Sequence, residues 1–167
     1  MATRRSGSSD VRQVATETVA LLQPLANRRG CTIALSARAP AVAAVDVGQI
    51  RQVLTNLLMN AIQAMTEGGA IRVSVDVAPD ASPPPHVKPA RGWIAIQVRD
   101  EGPGIAPEIL AHVFDPFFTT KDVGEGTGLG LSIAFGIVRD HGGWIDVHSR
   151  IGRGAELVVH LPQAGAA

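Results

Sequence analysis

Apolar residues recur at helical spacing in two long stretches of the chain. The first covers residues 10–28, where Ser9 or Asp10 can cap the helix start and Pro24 is expected to kink or end it. The second opens at Asp46 and carries a broad apolar stripe with the period of an α-helix. The stripe consists of Ile50, Val53, Leu54, Leu57, Leu58, Ala61 and Met65. Both stretches are therefore predicted to be helices that bury one face.

Shorter stretches alternate apolar and polar residues or form continuous apolar runs, as strands do. We predict strands at residues 31–36, 42–45, 71–77, 93–98, 144–149 and 155–162, a short helix at 107–112 and a longer one at 129–140. The order is helix, strands, helix, hairpin, loop, helix, hairpin. This order indicates an α+β fold, an α/β sandwich in which helices cover one face of a mostly antiparallel mixed sheet.

A proline-rich segment at residues 79–92 separates two of the predicted strands. It holds five of the chain's eleven prolines, which excludes regular structure. We predict a mobile insertion with no catalytic role. Residues 1–9 are expected to be disordered or foreign to the domain, residues 10–162 to form it, and residues 163–167 to be a tail.

Composition limits the classes of partner. The 167 residues carry a formal net charge of zero, which removes the usual electrostatic attraction to nucleic acid or to an anionic membrane. A single cysteine, Cys31, excludes a disulfide framework and a cysteine-based zinc site. No apolar run approaches the roughly 18 residues that span a bilayer. We predict a monomeric cytoplasmic domain without nucleic-acid partners or direct membrane contact.

Five amide side chains lie on one line beside the apolar stripe of the second helix. They are Gln49, Gln52, Asn56, Asn60 and Gln63. Asparagine is a poor residue for a helix interior, and an amide oxygen is a neutral ligand for a hard cation such as Mg²⁺. The alternative is that these amides form only the solvated face of the helix, and the pattern alone leaves both interpretations open.

The segment VRDEGPGI, residues 98–105, follows a predicted strand directly. Gly102 and Gly104 permit a tight turn and close approach of a ligand, and Asp100 at the strand end can accept a hydrogen bond from an exocyclic amine such as that of adenine. The alternative is an ordinary acidic turn, because short motifs of this kind are common by chance.

The segment GEGTGLGLSI, residues 124–133, leads into the last predicted helix. Gly128 and Gly130 stand at the helix start, where unpaired N–H groups favour phosphate, and Thr127 or Lys121 can add contacts. The spacing fits neither a P-loop nor a dinucleotide-binding fingerprint. The alternative, a flexible linker, is weakened by the apolar run that follows. Phe114, Phe117 and Phe118 precede the segment, and we expect at least one of them to anchor it while the others belong to the core.

The order of these segments carries a family resemblance. NLLMNAIQAM (56–65), DEGPGI (100–105), FDPFFTTK (114–121) and GTGLGLSI (126–133) resemble the N box, first glycine box, F box and second glycine box of sensor histidine kinases. The residues from 141 to 162 are similar to the closing hairpin of the same domain. The boxes are most similar to those of nitrogen-regulation and oxygen-sensor kinases, which share NAIQAM and FFTTK. The resemblance covers about residues 10–162.

The resemblance implies the Bergerat fold of the gyrase, heat-shock chaperone, histidine kinase and mismatch-repair ATPase superfamily, with ATP and Mg²⁺ held between the long helix and a lid at residues 114–127. It implies that Asn60 is the Mg²⁺ ligand and a catalytic residue, together with Lys121. The implied nucleotide contacts are Asn56, Asn60, Gln63, Ala64, Asp100, Gly102, Gly104, Ile105, Thr120, Lys121, Gly126, Thr127, Gly128, Leu129, Gly130 and Leu131.

The chain departs from the family pattern in two places. Gln63 and Ala64 occupy positions where many relatives have lysine and an aromatic residue, which puts one phosphate cation and one adenine stacking partner in doubt. Lys121 is a candidate to compensate. Gly154 and Ala155 stand where a glycine–threonine pair is common, and we expect that change to be harmless.

The resemblance also separates kinases from hydrolases. Hydrolytic relatives have a glutamate one turn before the metal asparagine, and Asn56 at that position cannot act as a general base. None of the five histidines precedes Glu or Asp, so the phosphoacceptor is expected on a separate dimerisation domain, with a response regulator downstream. The parent protein would be cytoplasmic or a membrane-bound sensor with this part in the cytoplasm. The alternatives are an anti-sigma-factor-type serine kinase and a non-catalytic nucleotide-binding module.

Overall fold

A computed structural model of the chain describes residues 7–116 and 130–164. Its elements follow the predicted order. They are β1 (Gly7–Asp10), α1 (Val11–Arg28), β2 (Cys31–Ser36), β3 (Val42–Val45), α2 (Val47–Ala64), β4 (Gly69–Val77), β5 (Trp93–Arg99), α3 (Pro107–Leu110), α4 (Gly130–Asp140), β6 (Trp144–Ser149) and β7 (Ala155–Pro162).

Carboxylate caps begin the two long helices. The Asp10 side chain accepts a hydrogen bond from Arg12 N at 3.0 Å, and the Asp46 side chain accepts one from Gln49 N at 3.0 Å. The prediction that Pro24 kinks or ends α1 was wrong about the end, because the helix continues to Arg28. Pro24 lies on the exposed side of the helix, so the carbonyl that loses its N–H partner there is on the side that faces water.

The main sheet has five strands in the order β2-β4-β5-β7-β6. The β2–β4 pair is parallel, and the other three pairs are antiparallel, which confirms the predicted mixed and mostly antiparallel sheet. The segment at 78–92 joins antiparallel β4 and β5 without a helix or strand of its own. Its lack of regular structure agrees with the proline content, and its mobility stays a prediction.

Both predicted ends of the domain differ from the structure. Residues 7–9, which we expected to be disordered, form β1, and this strand pairs antiparallel with β3 in a separate two-stranded sheet. Gln163 and Ala164, expected to be a tail, bond to the domain: Gln163 N donates to Gly92 O at 2.9 Å, and Ala164 N donates to Val42 O at 2.8 Å. Backbone pairing needs no apolar side chains, so the composition of the two ends gave no sign of the β1–β3 pairing or of the bonds from Gln163 and Ala164.

The helices and the apolar side of the sheet form one core. Alternate strand residues face α1, α2 and α4, among them Ile71, Val73, Val75, Ile94, Ile96, Val98, Leu157 and Val159. We call the other side of the sheet the open face. It is polar near Arg72, Arg99 and Glu156, and it is aromatic near Trp93 and Trp144. None of the helices in the described ranges is long and apolar enough to cross a membrane.

The aromatic end of the open face contains a buried imidazole. His160 stacks on Trp144 with ring centroids 4.1 Å apart, and Trp144 meets Trp93 edge-on at 4.7 Å. Burial lowers the pKa of His160, an effect that nearby Asp146 opposes and His148 reinforces. Asp146 Oδ2 lies 3.7 Å from His160 Nδ1, beyond hydrogen-bond distance.

Acidification should therefore destabilise the domain through His160. A depressed folded-state pKa means that its contribution is full above its ordinary pKa of about 6.5 and is lost as the pH falls through the folded value. His160→Phe keeps a ring against Trp144 and removes the titration. We expect urea denaturation to show a smaller loss of unfolding free energy between about pH 7.5 and 5.5 in this variant. His86→Gln in the exposed 78–92 segment is the control, and an unchanged slope in His160→Phe would refute the assignment.

Candidate functional site

The start of α4 is tied to the middle of α2. Asn56 Nδ2 donates a hydrogen bond to Gly130 O at 3.0 Å, which joins the N box to the last glycine of the second glycine box. At the other end of α4, Asp46 N donates to His141 Nε2 at 3.2 Å, so the same two helices are joined twice. Sequence reasoning missed His141, because a single histidine in a turn carries no signal for a contact with a residue 95 positions away.

The amides on α2 do not share one environment. Gln52 is exposed, as expected for a solvated face, whereas Asn56, Asn60 and Gln63 are half-buried. Asn60 and Gln63 lie in the last two turns of the helix, beside the end that the first glycine box contacts, and Asn56 lies in its middle. Gln49 is also half-buried, but it lies in the first turn. The functional interpretation therefore stays a prediction for Asn56, Asn60 and Gln63, whereas the exposure of Gln52 fits the solvated-face interpretation.

Asp100 is a buried carboxylate at the end of β5, with only 3% of its surface exposed. Its Oδ1 accepts hydrogen bonds from Gly102 N at 2.9 Å and from Ala155 N at 3.3 Å. Burial raises the pKa of Asp100, and the two backbone N–H groups partly offset that rise. Both bonds use Oδ1, so the carboxylate is fixed in orientation while Oδ2 accepts no bond within the described residues. A fixed, buried acceptor of this kind is suited to an amine donor.

Gly102 brings the glycine box against the end of α2. A Cβ added at Gly102 would lie 2.9 Å from Asp100 Oδ1 and 3.2 Å from the Ala64 carbonyl oxygen. Any side chain there would displace either the buried carboxylate or the helix end. The close approach places Asp100 next to the α2 turn that ends at Ala64, which the resemblance had assigned to the same site.

Gly104 and Ile105 are held by the turn between β6 and β7. Gly104 has a φ of +78°, and a Cβ added there would collide with the Arg150 carbonyl oxygen. Ile105 N donates to Ser149 Oγ at 2.7 Å, and Ser149 Oγ donates to Gly154 O at 2.9 Å. The structure thus gives Gly104 a packing role in the hairpin contact, in addition to the pocket-shaping role that the resemblance implies. Sequence reasoning missed Ser149.

Gly104→Ala should destabilise the domain by about 2–4 kcal/mol, because it combines a left-handed backbone with a collision against fixed backbone atoms. Gly136→Ala in the middle of α4 is the matched control, since an added Cβ there meets nothing within 4 Å. We expect that control to be neutral or to stabilise by about 0.5–1 kcal/mol. Thermal and urea unfolding of both variants checks the difference, and equal stabilities would contradict the packing role.

The remaining predicted contacts divide between two groups. Thr120, Lys121, Gly126, Thr127, Gly128 and Leu129, with most of the predicted lid, lie outside the described residues. Gly130 and Leu131 begin α4, where Leu131 is half-buried against the core. Phe114 stacks on Phe135 of the same helix with ring centroids 5.1 Å apart, so the chain is anchored to α4 just before the undescribed segment. The described part of the site therefore lies around α2, with the Asp100 turn at the end of that helix and the start of α4 beside its middle.

Comparisons with known proteins agree with this geometry. The family model described as "Histidine kinase-, DNA gyrase B-, and HSP90-like ATPase" matches residues 45–165. Sensor kinase CckA of Brucella abortus (strain 2308) is 42% identical over 71% of this chain and 13% of its own length. Sensor histidine kinase ZraS of Klebsiella oxytoca is 35% identical over 95% of this chain and 32% of its own length. The chain thus spans less than a third of these relatives.

Solved structures show the same architecture. The catalytic domain of histidine kinase ThkA superimposes with a TM-score of 0.77 at 29% identity, covering 94% of this chain and 95% of that one. Full-length ShkA, solved in complex with AMPPNP, superimposes with a TM-score of 0.78 at 30% identity over 96% of this chain and 32% of that one. These matches confirm the expected α+β fold and the resemblance to histidine kinase catalytic domains. The chain belongs to the histidine kinase-, DNA gyrase B- and HSP90-like ATPase family.

Proposed function

We propose that this chain binds ATP with Mg²⁺ and transfers the γ-phosphoryl group to a histidine on a separate dimerisation domain of a two-component sensor kinase. One observation carries the proposal. A buried carboxylate, Asp100, is oriented by two backbone N–H groups beside Gly102, which packs against the end of the α2 helix that bears Asn56 and Asn60. Family membership supports ATP as the nucleotide.

Asp100 is proposed to recognise the adenine base. Its fixed orientation leaves Oδ2 to accept a hydrogen bond from the exocyclic amine, and burial strengthens that bond by excluding water. Gly102 allows the base to approach because no side chain intervenes between Asp100 and Ala64. Guanine presents a carbonyl oxygen at the corresponding position, which a carboxylate repels, so the same contact would discriminate between the two purines.

Asn60 is proposed to hold Mg²⁺, and the half-buried amides of α2 fit such an ion. An amide oxygen is a neutral ligand, and Mg²⁺ takes few protein ligands because it keeps water and phosphate oxygens in its other positions. When bound, Mg²⁺ neutralises charge on the phosphates. The start of α4 is joined to α2 by the Asn56–Gly130 bond, and unpaired N–H groups at a helix start favour phosphate. Lys121, Thr120 and the segment from Gly126 to Leu129 are proposed to complete the phosphate site.

Transfer to a protein nucleophile is favoured over hydrolysis. Asn56 lies at the position of the hydrolase glutamate, and its Nδ2 already donates to Gly130 O. An amide cannot take a proton from water at neutral pH, so the described residues offer no general base there. Phosphoryl transfer depends mainly on positioning and charge neutralisation, and an incoming imidazole needs no base if it is neutral.

The partners of the proposed kinase follow from its histidines, none of which precedes Glu or Asp as a phosphoacceptor histidine normally does. We propose a dimerisation domain carrying the phosphoacceptor histidine, a response regulator downstream, and a cytoplasmic location for this domain. An anti-sigma-factor-type serine kinase is the second candidate, and Asn56 argues against it because such kinases typically have glutamate there. A non-catalytic nucleotide-binding module is the third candidate.

The test has two stages. Calorimetry with ATP and Mg²⁺ should show binding of one nucleotide, and addition of a separately supplied histidine-containing dimerisation domain should yield acid-labile, base-stable phosphohistidine. Phosphate on serine would favour the second candidate. Binding without transfer to any tested dimerisation domain would favour the module. Absence of nucleotide binding would refute the proposal.

A further inference from the structure

Four exposed arginines gather at the polar end of the open face, on the side of the sheet away from the helices. Arg72 and Arg99 lie directly opposite each other on β4 and β5, and Arg150 and Arg153 lie in the turn between β6 and β7. They line two adjoining cavities of about 250 and 540 Å³ that share Arg99 and Arg153. We call these four residues the arginine corner.

The arginine corner lacks counter-charges in the described part of the chain. None of its four guanidinium groups lies within 4.0 Å of a described carboxylate oxygen. Glu156 faces Arg99 across the β5–β7 ladder, but its Oε1 accepts a hydrogen bond from Gln97 Nε2 at 2.9 Å. Like charges directly opposite each other in an antiparallel pair are destabilising. The cost of the Arg72–Arg99 pair is therefore not offset within these residues.

An exposed apolar side chain lies beside the arginine corner. Ile151, between Arg150 and Gly152 in the β6–β7 turn, is 69% exposed. The turn is held by bonds from Gly152 N to Pro103 O at 2.8 Å and from Arg153 N to Arg150 O at 3.0 Å. An ordered turn that presents one branched apolar side chain among cations has the composition of an interface anchor with a charged rim.

We propose that the arginine corner and Ile151 form a docking surface for a partner protein that offers an apolar side chain flanked by carboxylates. Charge complementarity identifies the partner, because four unpaired guanidinium groups favour bidentate contacts with carboxylates. A polyphosphate backbone offers no apolar group that could pack against the exposed Ile151. A small anion has no apolar surface that Ile151 could bury. The proposal goes beyond the proposed phosphotransfer and does not rest on it, although Asp100 also lines the first cavity.

The test uses a defined probe. A short synthetic peptide with glutamates flanking a central leucine is titrated into the isotope-labelled chain, and backbone NMR shifts are followed at low and high salt. We expect shifts centred on residues 150–153 and on Arg72 and Arg99, with affinity that falls as salt rises. The same peptide with glutamines in place of glutamates should bind at least about tenfold more weakly.

Matched variants distinguish binding at the arginine corner from a general effect of the net charge of the chain. Arg99→Glu combined with Arg153→Glu should weaken peptide binding by about tenfold or more, and Ile151→Ser by several-fold. Arg38→Glu, an exposed arginine beyond the far end of β2, makes the same charge change per site and should have little effect. Thermal unfolding of each variant confirms that it is folded. Absence of shifts, shifts elsewhere, equal loss in Arg38→Glu, or tighter binding of inorganic phosphate or heparin at these residues would each overturn the proposal.

Discussion

Replacing Asn60 with alanine is expected to reduce Mg²⁺-dependent ATP binding and phosphotransfer by at least about 100-fold while leaving the fold intact. Asn60 is half-buried in the last turns of α2, and it is outside the apolar stripe that packs against the sheet. Alanine is the best helix former, so truncation here removes an amide without weakening the helix. Calorimetry with ATP in the presence and absence of Mg²⁺ measures the change.

The controls for Asn60 lie on the same helix. Gln52→Ala removes an exposed amide from the same line of side chains and should leave affinity unchanged. Asn60→Asp keeps an oxygen ligand but adds a negative charge near the proposed phosphate site, and we expect it to impair transfer as well. The assignment fails if Asn60→Ala binds Mg²⁺-ATP and transfers phosphate like the unaltered chain, or if Gln52→Ala loses as much.

Sequence patterns within one helix or strand predicted the fold well. Contacts between helices or strands that lie far apart in the sequence were not predicted. The stripe from Ile50 to Met65 identified α2 because burial of one helix face leaves a periodic record in the sequence. β1 left no such record, since the residues from Gly7 to Asp10 pair with β3 through backbone groups alone. Pro24 was misjudged because its effect depends on which side of α1 faces water, and that depends on tertiary packing.

The same distinction holds at the candidate site. Asp100 and Gly102 were found from a short motif, because a carboxylate and two glycines after a strand restrict the local backbone. Ser149 was not found, although its Oγ accepts a hydrogen bond from Ile105 N, and Gly154 was noted without its close approach to Gly104. They lie more than 40 residues further along the chain, and β6 and β7 are brought beside the glycine turn only by the order of strands in the sheet. Residues that orient a site through a neighbouring hairpin carry no local signal of that role.

Asp100→Asn should separate the nucleotide contact from the stability of the domain. Asparagine retains Oδ1 as the acceptor for Gly102 N and Ala155 N, which places its NH₂ group where Oδ2 was. The NH₂ group of asparagine would then face the exocyclic amine of adenine, and two donors cannot form a hydrogen bond with each other. We expect ATP affinity to fall by about 100-fold or more, and the preference for ATP over GTP to fall further because guanine offers an acceptor. Calorimetry with both nucleotides measures this change, and Asp76→Asn, at an exposed position of β4, is the control.

The stability of Asp100→Asn tests whether the Asp100 carboxylate serves the fold or the nucleotide. Burial raises the pKa of Asp100 in the folded state, so its contribution to stability is full below its ordinary pKa of about 3.8 and is lost as the pH rises through the folded value. Above the folded-state pKa the ionised side chain is therefore a cost that asparagine removes. We expect the unfolding free energy of Asp100→Asn without nucleotide to equal or exceed that of the unaltered chain. A large loss of stability together with intact ATP binding would make Asp100 a structural residue. Retained stability with lost binding would mean that the chain tolerates a buried charge because the nucleotide needs it.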